Sequence, residues 1–435
     1  MAPGGALYLG LDLGTSACRA LVIDDAGAIH AQAAAPLPTP RRRNAEVEQD
    51  PALWWRAVCM ALDDLGARMD LRRVAALAVD GTSGTLLLTD GDGAPLGAAL
   101  MYNDARSTAE AARIAQLAPP ASAAHGASGA LAKLLRLQNS ATPAARHALS
   151  QADWISARFG GHYGVADENN CLKLGFDPLE RNWPAWLDAL GVRRELLPRT
   201  VPAGTALGCV SAAVARQFNL NPAARVVAGT TDSTAAFIAS GATRPGEAVT
   251  SLGSTLVLKV ISERPLFAPR HGVYSHRLGD LWLAGGGSNS GGAVLLHYFS
   301  AQQLADMTPR LQPDHPTGLD YYPLLAPGER FPINDAQFAP RLTPRPKDDV
   351  RFFQGMLEGM ARIEQQGYQL LARLGAPYPV TVRSAGGGAL NAAWRTLRER
   401  ALGVPVIAAA QREAAYGAAV LARRGVTQRD SKRHL

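Results

Sequence analysis

The sequence predicts an α/β protein made of two related halves, and three observations support this fold class. A chain of 435 residues is long enough for two or three domains of ordinary size. Short apolar runs that end in small or polar residues alternate with segments of helical periodicity, which is typical of open α/β sheets. The pattern at Gly10–Val22 (GLDLGTSACRALV) returns at Val249–Ile261 (VTSLGSTLVLKVI), so each half is predicted to open with a strand–turn–strand hairpin.

Composition excludes several classes of protein. Hydrophobic residues make up 47% and charged residues 19% of the chain, which indicates an ordinary globular core rather than a disordered protein. No apolar run reaches the ~18 residues of a membrane span and no secretory signal is visible, so we expect a cytoplasmic protein without a membrane partner. The scattered cysteines, without a C-x-x-C pair, predict reduced thiols rather than a disulfide framework or a zinc site. They are Cys18, Cys59, Cys171 and Cys209.

The net charge of +7 has two interpretations. Basic runs such as Arg41–Arg43 are most often solvated surface. The functional alternative is attraction of an anionic ligand such as ATP. Basic residues are not interleaved with aromatic ones and no helix-turn-helix signature is present, so nucleic acid is not expected as a partner.

The first hairpin has a turn of small polar residues. Leu7–Leu11 and Arg19–Ile23 are apolar strands, and the letters DLGTS lie at residues 12–16 between them. Glycine leaves room for close approach, so the backbone N–H groups and hydroxyls of this turn are suited to phosphate oxygens. A simple polar hairpin turn explains the same letters equally well.

The rest of the first half adds a helix start, a strand exit and a polar segment. Asp50-Pro51 has the chemistry of a helix N-terminus. Arg73–Val79 predicts a strand, and DGTSGT at residues 80–85 is its polar exit, where open α/β sheets contact ligands. Two interpretations are open for the side chains of Asp167, Asn169 and Asn170. They form hydrogen bonds either with sugar hydroxyls or only with the backbone of their own loop.

Asn219–Ala224 has the composition of a linker between the halves. We therefore predict an N-terminal domain at residues 1–222 and a C-terminal domain at residues 223–426. The charged segment 427–435 is predicted to be a disordered tail.

The second half opens with Val226–Lys259, a stretch that combines an acidic residue with a turn of small residues. It predicts a strand at Val226–Gly229, a short helix at Ser233–Ser240 with Asp232 before it, and a small-residue turn at residues 253–255. A carboxylate close in sequence to a turn that can wrap phosphate suits phosphoryl transfer. In that reaction one base takes a hydroxyl proton, and positioning and charge stabilisation do most of the remaining work.

Two further elements complete the second half. Gln354–Leu374 predicts a long amphipathic helix. Val380–Ala385 predicts a strand, which Gly386–Gly388 breaks before a helix that contains Trp394. Strand–glycine–helix is a context for close approach to a nucleotide, although a plain tight turn explains the glycines as well.

Taken in this order, these segments resemble the FGGY family of carbohydrate kinases, a branch of the actin-like ATPase superfamily, over essentially the whole chain. Within the family, the chain resembles most the short D-ribulose kinases of cyanobacteria and plants, once labelled xylulose-kinase-like. The phrases that carry the two resemblances are GLDLGTS (10–16), EQDPALWW (48–55), DGTSGT (80–85), YNDAR (102–106), LAKL (131–134), CLKLG (171–175), AGTTDS (228–233), GEAVTSLGST (246–255), GLDYYPL (318–324), GERFPI (328–333) and AGGGALNAAW (385–394).

The resemblance implies two ribonuclease-H-like domains with a central cleft, with sugar against the first domain and ATP mainly on the second. It implies that Asp232 contacts the sugar and is the general base that takes the proton of its terminal hydroxyl. The simpler interpretation is a helix N-cap, and both are compatible because a helix N-terminus favours an ionised carboxylate. Asp12 and Ser83 are the other implied sugar contacts, and Asp12 is also implied to help hold Mg²⁺ through water.

The resemblance also implies the contacts of the nucleotide. The implied phosphate contacts are Gly14, Thr15, Ser16, Gly253, Ser254 and Thr255, and the implied adenosine platform is Gly387, Gly388, Asn391 and Trp394. Trp394 either stacks on the base or only packs in the core. Mg²⁺ is expected because it neutralises phosphate charge, and since it keeps much of its water, no dense ligand cluster is expected.

The resulting prediction is ATP-dependent phosphorylation of D-ribulose to D-ribulose 5-phosphate, with a small-molecule sugar and ATP as the partners. D-xylulose is the alternative acceptor, since the two sugars differ at one stereocentre. A non-catalytic nucleotide- or sugar-binding protein is the alternative from another class, and the presence of Asp12, Thr15, Asp232 and Ser254 argues against it. Tyr102 stands where many members carry Trp and the chain is short, which weakens transfer of a xylulose- or glycerol-kinase pocket. The oligomeric state is left open.

Overall fold

The computed structural model describes residues 5–140 and 143–430. The chain divides into two compact units, which we call unit 1 (Met1–Ala239 with Glu413–Leu435) and unit 2 (Ser240–Arg412). Each unit contains a mixed β-sheet with helices packed on it, which confirms the predicted α/β class. Among the described helices, none combines the length and the apolar composition that crossing a membrane requires.

Strands and helices follow one another in both units. The strands are β1 (Leu7–Leu13), β2 (Ala17–Ile23), β3 (Ile29–Pro36), β4 (Arg41–Arg43), β5 (Glu46–Gln49), β6 (Val74–Gly81), β7 (Leu86–Thr89), β8 (Ala99–Leu100), β9 (His147–Ser150), β10 (Val165–Asp167), β11 (Arg199–Val201), β12 (Ala206–Cys209), β13 (Arg225–Thr231), β14 (Glu247–Leu252), β15 (Leu256–Ser262), β16 (Tyr274–Leu278), β17 (Leu281–Ser288), β18 (Thr381–Ala385) and β19 (Val406–Ala408). The α-helices are α1 (Pro51–Arg68), α2 (Thr108–Leu117), α3 (Ala130–Ser140), α4 (Gln151–Gly160), α5 (Glu168–Cys171), α6 (Trp186–Ala189), α7 (Ala212–Phe218), α8 (Asp232–Ala239), α9 (Gly292–Tyr298), α10 (Ala301–Met307), α11 (Asp349–Arg373), α12 (Ala392–Leu402) and α13 (Ala414–Asp430).

The main sheet of unit 1 has the strand order β12-β13-β6-β1-β2-β3. β1 is antiparallel to β2, which confirms the first predicted hairpin, and β1, β6 and β13 are parallel to one another. Every residue of β1 is buried, and α13 packs against β1 and β6. Gly10 allows this packing, because a Cβ atom there would lie 1.9 Å from the carbonyl oxygen of Ala415 in α13. The C-terminal ends of the three parallel strands therefore lie along one edge of the sheet, where ligands bind in open α/β sheets.

A second layer of unit 1 supports the segment that follows β6. It contains a five-stranded sheet of order β4-β5-β8-β7-β9, and the strands β10 and β11 form a separate parallel pair. α3 packs against β7 and buries Leu131, Leu134 and Leu135 in a separate hydrophobic cluster.

Unit 2 repeats the strand directions of unit 1. Its sheet has the order β16-β17-β15-β14-β18-β19. β14 is antiparallel to β15 and parallel to β18, β15 is antiparallel to β17, and β18 is parallel to β19. Unit 1 has the same directions: β1 is antiparallel to β2 and parallel to β6, β2 is antiparallel to β3, and β6 is parallel to β13. The two repeated sequence patterns are therefore hairpins at equivalent positions of two similar sheets.

Two predicted helices are confirmed, one of them with different bounds. α1 begins at Pro51, and the Asp50 side chain caps it by accepting a hydrogen bond of 2.9 Å from the backbone N–H of Ala52. α11 begins at Asp349, before the predicted start at Gln354. The reason is that Asp348 provides the N-cap and accepts a hydrogen bond from the backbone N–H of Val350.

The predicted domain boundary at residues 222 and 223 differs from the structure. β13 pairs with β6 and β12 in the main sheet of unit 1, and α8 belongs to the same unit, so the division falls after Ala239. The chain returns to unit 1 at Glu413, because α13 packs on β1, β6 and α8. The predicted tail also differs in part: residues 427–430 belong to α13, and residues 431–435 lie outside the described residues.

Candidate active site

Three aspartates meet where the parallel strands of unit 1 end. Asp12 lies near the end of β1, and its Cα partner in β6 is Asp80. Asp80 is also paired with Thr230 of β13, two residues before Asp232, which is the first residue of α8. Electrostatic repulsion acts among the three carboxyl groups, so they lie close to one another. We call Asp12, Asp80 and Asp232 the carboxyl cluster.

Burial and repulsion decide which members of the carboxyl cluster are ionised. Burial is the main reason that the pKa of Asp12 is raised to about 6; a hydrogen bond with Asp80 opposes this shift, and repulsion from Asp232 contributes to it. Burial, then repulsion from Asp12 and Asp232, raises the pKa of Asp80 well above its usual range. Asp80 is fully buried, and no N–H or hydroxyl group in the described part of the chain donates a hydrogen bond to its oxygens. Asp80 therefore holds a proton and donates it in a hydrogen bond to Asp12, which is ionised at neutral pH.

Asp232 is the most accessible carboxyl group of the cluster. It is half-buried in the first turn of α8, and its Oδ1 accepts a hydrogen bond of 2.6 Å from the backbone N–H of Ser233. The N-terminus of a helix favours a negative charge at this position. The local hydrogen bond and a role as proton acceptor are compatible, since a carboxylate has several acceptor positions.

Arg19 of β2 adds a positive charge to this edge of the sheet. Its Nη1 lies 3.4 Å from Oδ2 of Asp12, and its Nε lies 3.4 Å from Oε2 of Glu413. The Arg19 charge lowers the pKa of Asp12, although less than burial raises it. The guanidinium therefore favours the ionised form of Asp12 without removing the cost of burying that charge.

Ser83 lies in the turn after β6, and two lysines hold the backbone of this turn. Nζ of Lys133 donates to the carbonyl oxygens of Gly84 at 2.7 Å and Ser128 at 2.9 Å. Nζ of Lys173 donates to the carbonyl oxygen of Ser83 at 3.4 Å. Burial is the main reason that the pKa of Lys133 is lowered to about 7; the charge of Asp104 opposes this shift, and the charge of Lys173 contributes to it. The hydrogen bonds from the two lysines thus fix the backbone of the turn, while Ser83 itself is partly exposed.

The polar segment Asp167–Asn170 follows the local interpretation. Oδ1 of Asp167 accepts hydrogen bonds from the backbone N–H groups of Asn169 at 2.9 Å and Asn170 at 3.2 Å. Nδ2 of Asn169 donates to Oγ1 of Thr230 at 3.0 Å. All three side chains of the sequence prediction are buried. Asp167 thus caps α5, and Asn169 attaches this helix to β13 at Thr230, the Cα partner of Asp80.

The two small-residue turns occupy equivalent positions in the two units. In unit 1 the turn joins β1 to β2, and the backbone N–H of Gly14 donates to the carbonyl oxygen of Ala17 at 3.1 Å. Thr15 and Ser16 are exposed in it. In unit 2 the turn of residues 253–255 joins β14 to β15. It is braced by α9, since the backbone N–H groups of residues 292 and 293 donate to the carbonyl oxygens of residues 253 and 254.

A cavity of about 860 Å³ in unit 2 brings together most of the predicted nucleotide contacts of this unit. We call it the glycine-turn cavity, and its predicted members are Gly253, Ser254, Gly387, Gly388, Asn391 and Trp394. Thr255 is not among its lining residues. Much of the remaining wall is aliphatic and includes Leu296 and Leu390, which are 59% and 73% exposed. Apolar walls with glycine-rich turns are suited to a base and its phosphates.

Trp394 and Asn391 have structural roles at this cavity. Trp394 is only 3% exposed and belongs to the hydrophobic core of unit 2. A Cβ atom at Gly388 would lie 2.4 Å from its ring, so the glycine allows the ring to approach the turn. Oδ1 of Asn391 caps α12 by accepting a hydrogen bond of 2.9 Å from the backbone N–H of Trp394. Core packing of Trp394 is thus observed, whereas stacking on a base stays a prediction.

Sequence reasoning missed Asp80, Arg19, Lys133 and Lys173 as parts of the site. Asp80 and the lysines stand in the quoted phrases DGTSGT, LAKL and CLKLG, but the letters do not show that sheet register pairs Asp80 with Asp12. Within residues 5–140 and 143–430, no three His, Cys, Asp or Glu side chains are grouped as ligands of a metal ion.

Comparison with known proteins identifies the family. Residues 7–239 match the N-terminal domain of the FGGY family of carbohydrate kinases, and residues 248–426 match its C-terminal domain. A xylulose kinase of Escherichia coli is 26% identical over 425 residues, covering 90% of this chain and 84% of that protein. The crystal structure of a xylulose kinase from Brucella ovis has a TM-score of 0.86 at 26% identity, covering 97% of this chain and 91% of that one. A gluconate kinase from Lactobacillus acidophilus has the same TM-score at 20% identity, covering 98% and 90%, and shows the shared fold. The chain therefore belongs to the FGGY family and is an ATP-dependent carbohydrate kinase.

Proposed function

We propose that this kinase transfers the γ-phosphoryl group of ATP to the terminal hydroxyl of D-ribulose, giving D-ribulose 5-phosphate and ADP. The observation that carries the proposal is the carboxyl cluster, in which an accessible carboxylate lies beside one buried ionised and one buried neutral carboxyl group. D-ribulose as the acceptor is supported by phrases shared with the short D-ribulose kinases, among them DGTSGT, CLKLG and GLDYYPL.

In this proposal Asp232 is the catalytic base. Its carboxylate accepts the proton of the sugar hydroxyl while the hydroxyl oxygen forms a bond to the γ-phosphorus and the bond to the β-phosphate oxygen breaks. Asp232 is suited to this role because it is exposed enough to meet a substrate and lies at a helix N-terminus.

Asp12 and Ser83 orient the sugar. The ionised Asp12 accepts hydrogen bonds from sugar hydroxyls, and the hydrogen bond from Asp80 fixes its position. Ser83 is presented by the turn that Lys133 and Lys173 hold. Such fixed positions lower the entropic cost of bringing the hydroxyl to the phosphoryl group.

ATP is proposed to bind the glycine-turn cavity of unit 2, with its phosphates at Gly253 and Ser254 and its base near Trp394. The residues present in unit 1 fit a magnesium ion, since Asp12 is an ionised oxygen donor and Mg²⁺ is commonly held through water by few carboxylates. Asp12 would hold it through water, and the bound ion neutralises charge on the β- and γ-phosphates.

D-xylulose is the second candidate acceptor, because the relatives in Escherichia coli and Brucella ovis are xylulose kinases. The test is coupled release of ADP with Mg-ATP and D-ribulose, D-xylulose, L-ribulose, glycerol or no acceptor. We expect kcat/KM to be highest for D-ribulose. A clear preference for another acceptor would refute D-ribulose but not the kinase activity. Absence of sugar-dependent turnover with the whole panel would refute both D-ribulose and D-xylulose as the acceptor.

The base assignment is tested by Asp232→Asn. We expect kcat to fall by about 10²–10⁴, the usual contribution of general acid–base catalysis, while calorimetry shows nearly unchanged binding of ATP. Asp63→Asn makes the same chemical change on an exposed side chain of α1 and is expected to leave kcat unchanged. Retention of more than ~10% of kcat in Asp232→Asn would refute the assignment.

A further inference from the structure

A second polar network lies in the core of unit 2, away from solvent. Its members are Thr250 of β14, Glu364 and Tyr368 of α11, Ser384 of β18 and Arg398 of α12. Each of these side chains is at most 3% exposed. We call these five residues the Glu364–Arg398 network.

Hydrogen bonds connect all five side chains. Nε and Nη2 of Arg398 form a bidentate ion pair with the Glu364 carboxylate at 2.6 and 2.8 Å. Nη1 of Arg398 donates to Oγ of Ser384 at 2.6 Å. Thr250 donates to Oε1 of Glu364 and accepts a hydrogen bond of 2.8 Å from Oη of Tyr368. Burial, then the negative charge of Glu364, raises the pKa of Tyr368 above its usual range, which keeps this phenol a donor.

Stability alone is a weak explanation for a charged pair at this depth. Desolvating two charges is costly, and well-packed apolar side chains of similar volume are often as stable or more so. Apolar and aromatic side chains make up the hydrophobic core of this unit, among them Met356, Met360 and Leu371 on the same helix as Glu364. The pair is therefore expected to contribute something that apolar packing does not, such as a fixed relative position of the elements it joins.

The elements that the network joins are those that carry the glycine-turn cavity. Thr250 and Ser384 are direct Cα partners in the parallel pair β14–β18. Each stands three residues before a glycine of the cavity, Thr250 before Gly253 and Ser384 before Gly387. Arg398 follows Trp394 by four residues, which is about one turn of α12. The network thus connects the strand residues that precede both glycine turns with α12, the helix that carries Trp394.

We propose that Glu364 and Arg398 are positioning residues for nucleotide binding, which hold β14, β18 and α12 in the spacing that shapes the glycine-turn cavity. The bidentate pair sets the distance between α11 and α12. Its hydrogen bonds to Thr250 and Ser384 fix the positions of these two helices relative to β14 and β18. A directional pair fixes geometry more strictly than aliphatic packing, because its hydrogen bonds tolerate only small displacements. This inference rests on the proposed binding of ATP in unit 2.

The test separates positioning from stability. Arg398→Met and Glu364→Gln each leave one buried partner unsatisfied, so both are expected to lower the unfolding temperature and to raise the calorimetric Kd of Mg-ATP by at least about tenfold. The double variant Glu364→Leu with Arg398→Met removes both charges and is expected to recover most of the unfolding temperature. Its Kd for Mg-ATP is expected to stay raised, while the KM of the sugar stays within about twofold of wild type.

Arg383→Met is the matched control. Arg383 pairs with Glu247 at 3.2 Å and joins the same strands, β18 and β14, but is not a member of the Glu364–Arg398 network. Its loss is expected to change the Kd of Mg-ATP by less than about twofold.

Recovery of both stability and nucleotide affinity in the double variant overturns the inference, since the pair would then act through stability alone. If the single variants do not fold, the double variant and the control still give this comparison. A wild-type chain that binds no Mg-ATP overturns the proposed function itself and this inference with it. A wild-type chain that binds Mg-ATP, with variants that bind it equally well, overturns only the positioning role.

Discussion

Replacing Asp12 by asparagine is expected to stabilise the ligand-free protein although it removes a residue of the proposed site. Burial raises the pKa of Asp12 from 3.8 to about 6, so its folded-state pKa lies above its unfolded-state value. A group of this kind contributes its stability below about pH 4, and that contribution is lost as the pH rises through 6. At pH 8 the folded protein carries a buried charge that the unfolded chain carries in water.

The magnitude follows from the size of the shift. Each pKa unit corresponds to about 1.4 kcal/mol, so ionising Asp12 costs the folded state about 3 kcal/mol at pH 8. The same relation gives roughly half of this cost at pH 5 and almost none at pH 3. Asparagine keeps the shape and an acceptor for the Asp80 hydrogen bond but carries no charge. Loss of the contact with Arg19 changes the free energy of unfolding little, because the Arg19 side chain is 42% exposed and exposed ion pairs are weak.

The assay is thermal unfolding of the full chain followed by tryptophan fluorescence. Five of the seven tryptophans lie in unit 1, namely Trp54, Trp55, Trp154, Trp183 and Trp186, so the signal reports mainly on the unit that contains Asp12. For a unit of this size, 3 kcal/mol corresponds to a rise in Tm of about 6 °C. We expect this rise at pH 8 and about half of it at pH 5.

Asp63→Asn is the control, because it makes the same change on an exposed side chain and is expected to shift Tm by less than ~1 °C at both pH values. A rise in the Tm of Asp12→Asn that is absent at pH 8, or that is equally large at pH 5 and pH 8, contradicts the reasoning. The cost would then not come from a buried charge.

Two further substitutions test the surroundings of the sites. Gly388→Ala is expected to weaken binding of Mg-ATP by about tenfold or more, since the added methyl group would lie 2.4 Å from the Trp394 ring. Gly387→Ala, whose methyl group meets no atom within 4 Å, is the comparison, and equal effects at the two positions in calorimetry would contradict this prediction. Lys133→Met is expected to flatten the dependence of stability on pH. The wild-type lysine has a pKa of about 7 in the folded state, against an ordinary value of 10.5 in the unfolded chain. Between these two pH values the unfolded chain binds one proton more than the folded protein, so the free energy of unfolding rises with pH. Urea unfolding should show a wild-type gain of about 3 kcal/mol between pH 7 and 9.5 that the methionine variant lacks, and equal slopes for the two proteins would refute the lowered pKa.

Local features of the fold were predictable because the interactions that set them are local. The Asp50-Pro51 start of α1 is one example, since capping involves only neighbouring residues. The two hairpins are another, because apolar strands on either side of a glycine turn specify antiparallel pairing over a short loop. The repeated pattern also indicated two similar halves, which the matching strand directions of the two sheets confirm.

Tertiary structure decided what lies beside what. Sheet register, not sequence spacing, places Asp80 against Asp12, and 68 positions separate the two along the chain. The same holds for α13, which leaves unit 2 and packs on the first strand of unit 1, so that no boundary read along the sequence can describe unit 1. It holds again for the pairing of Glu364 with Arg398 across two helices. The sequence by itself determined the local turns and indicated candidate residues such as Asp12 and Asp232. Only packing determined which of them share a buried environment, because desolvation and repulsion depend on distances that the order of residues does not contain.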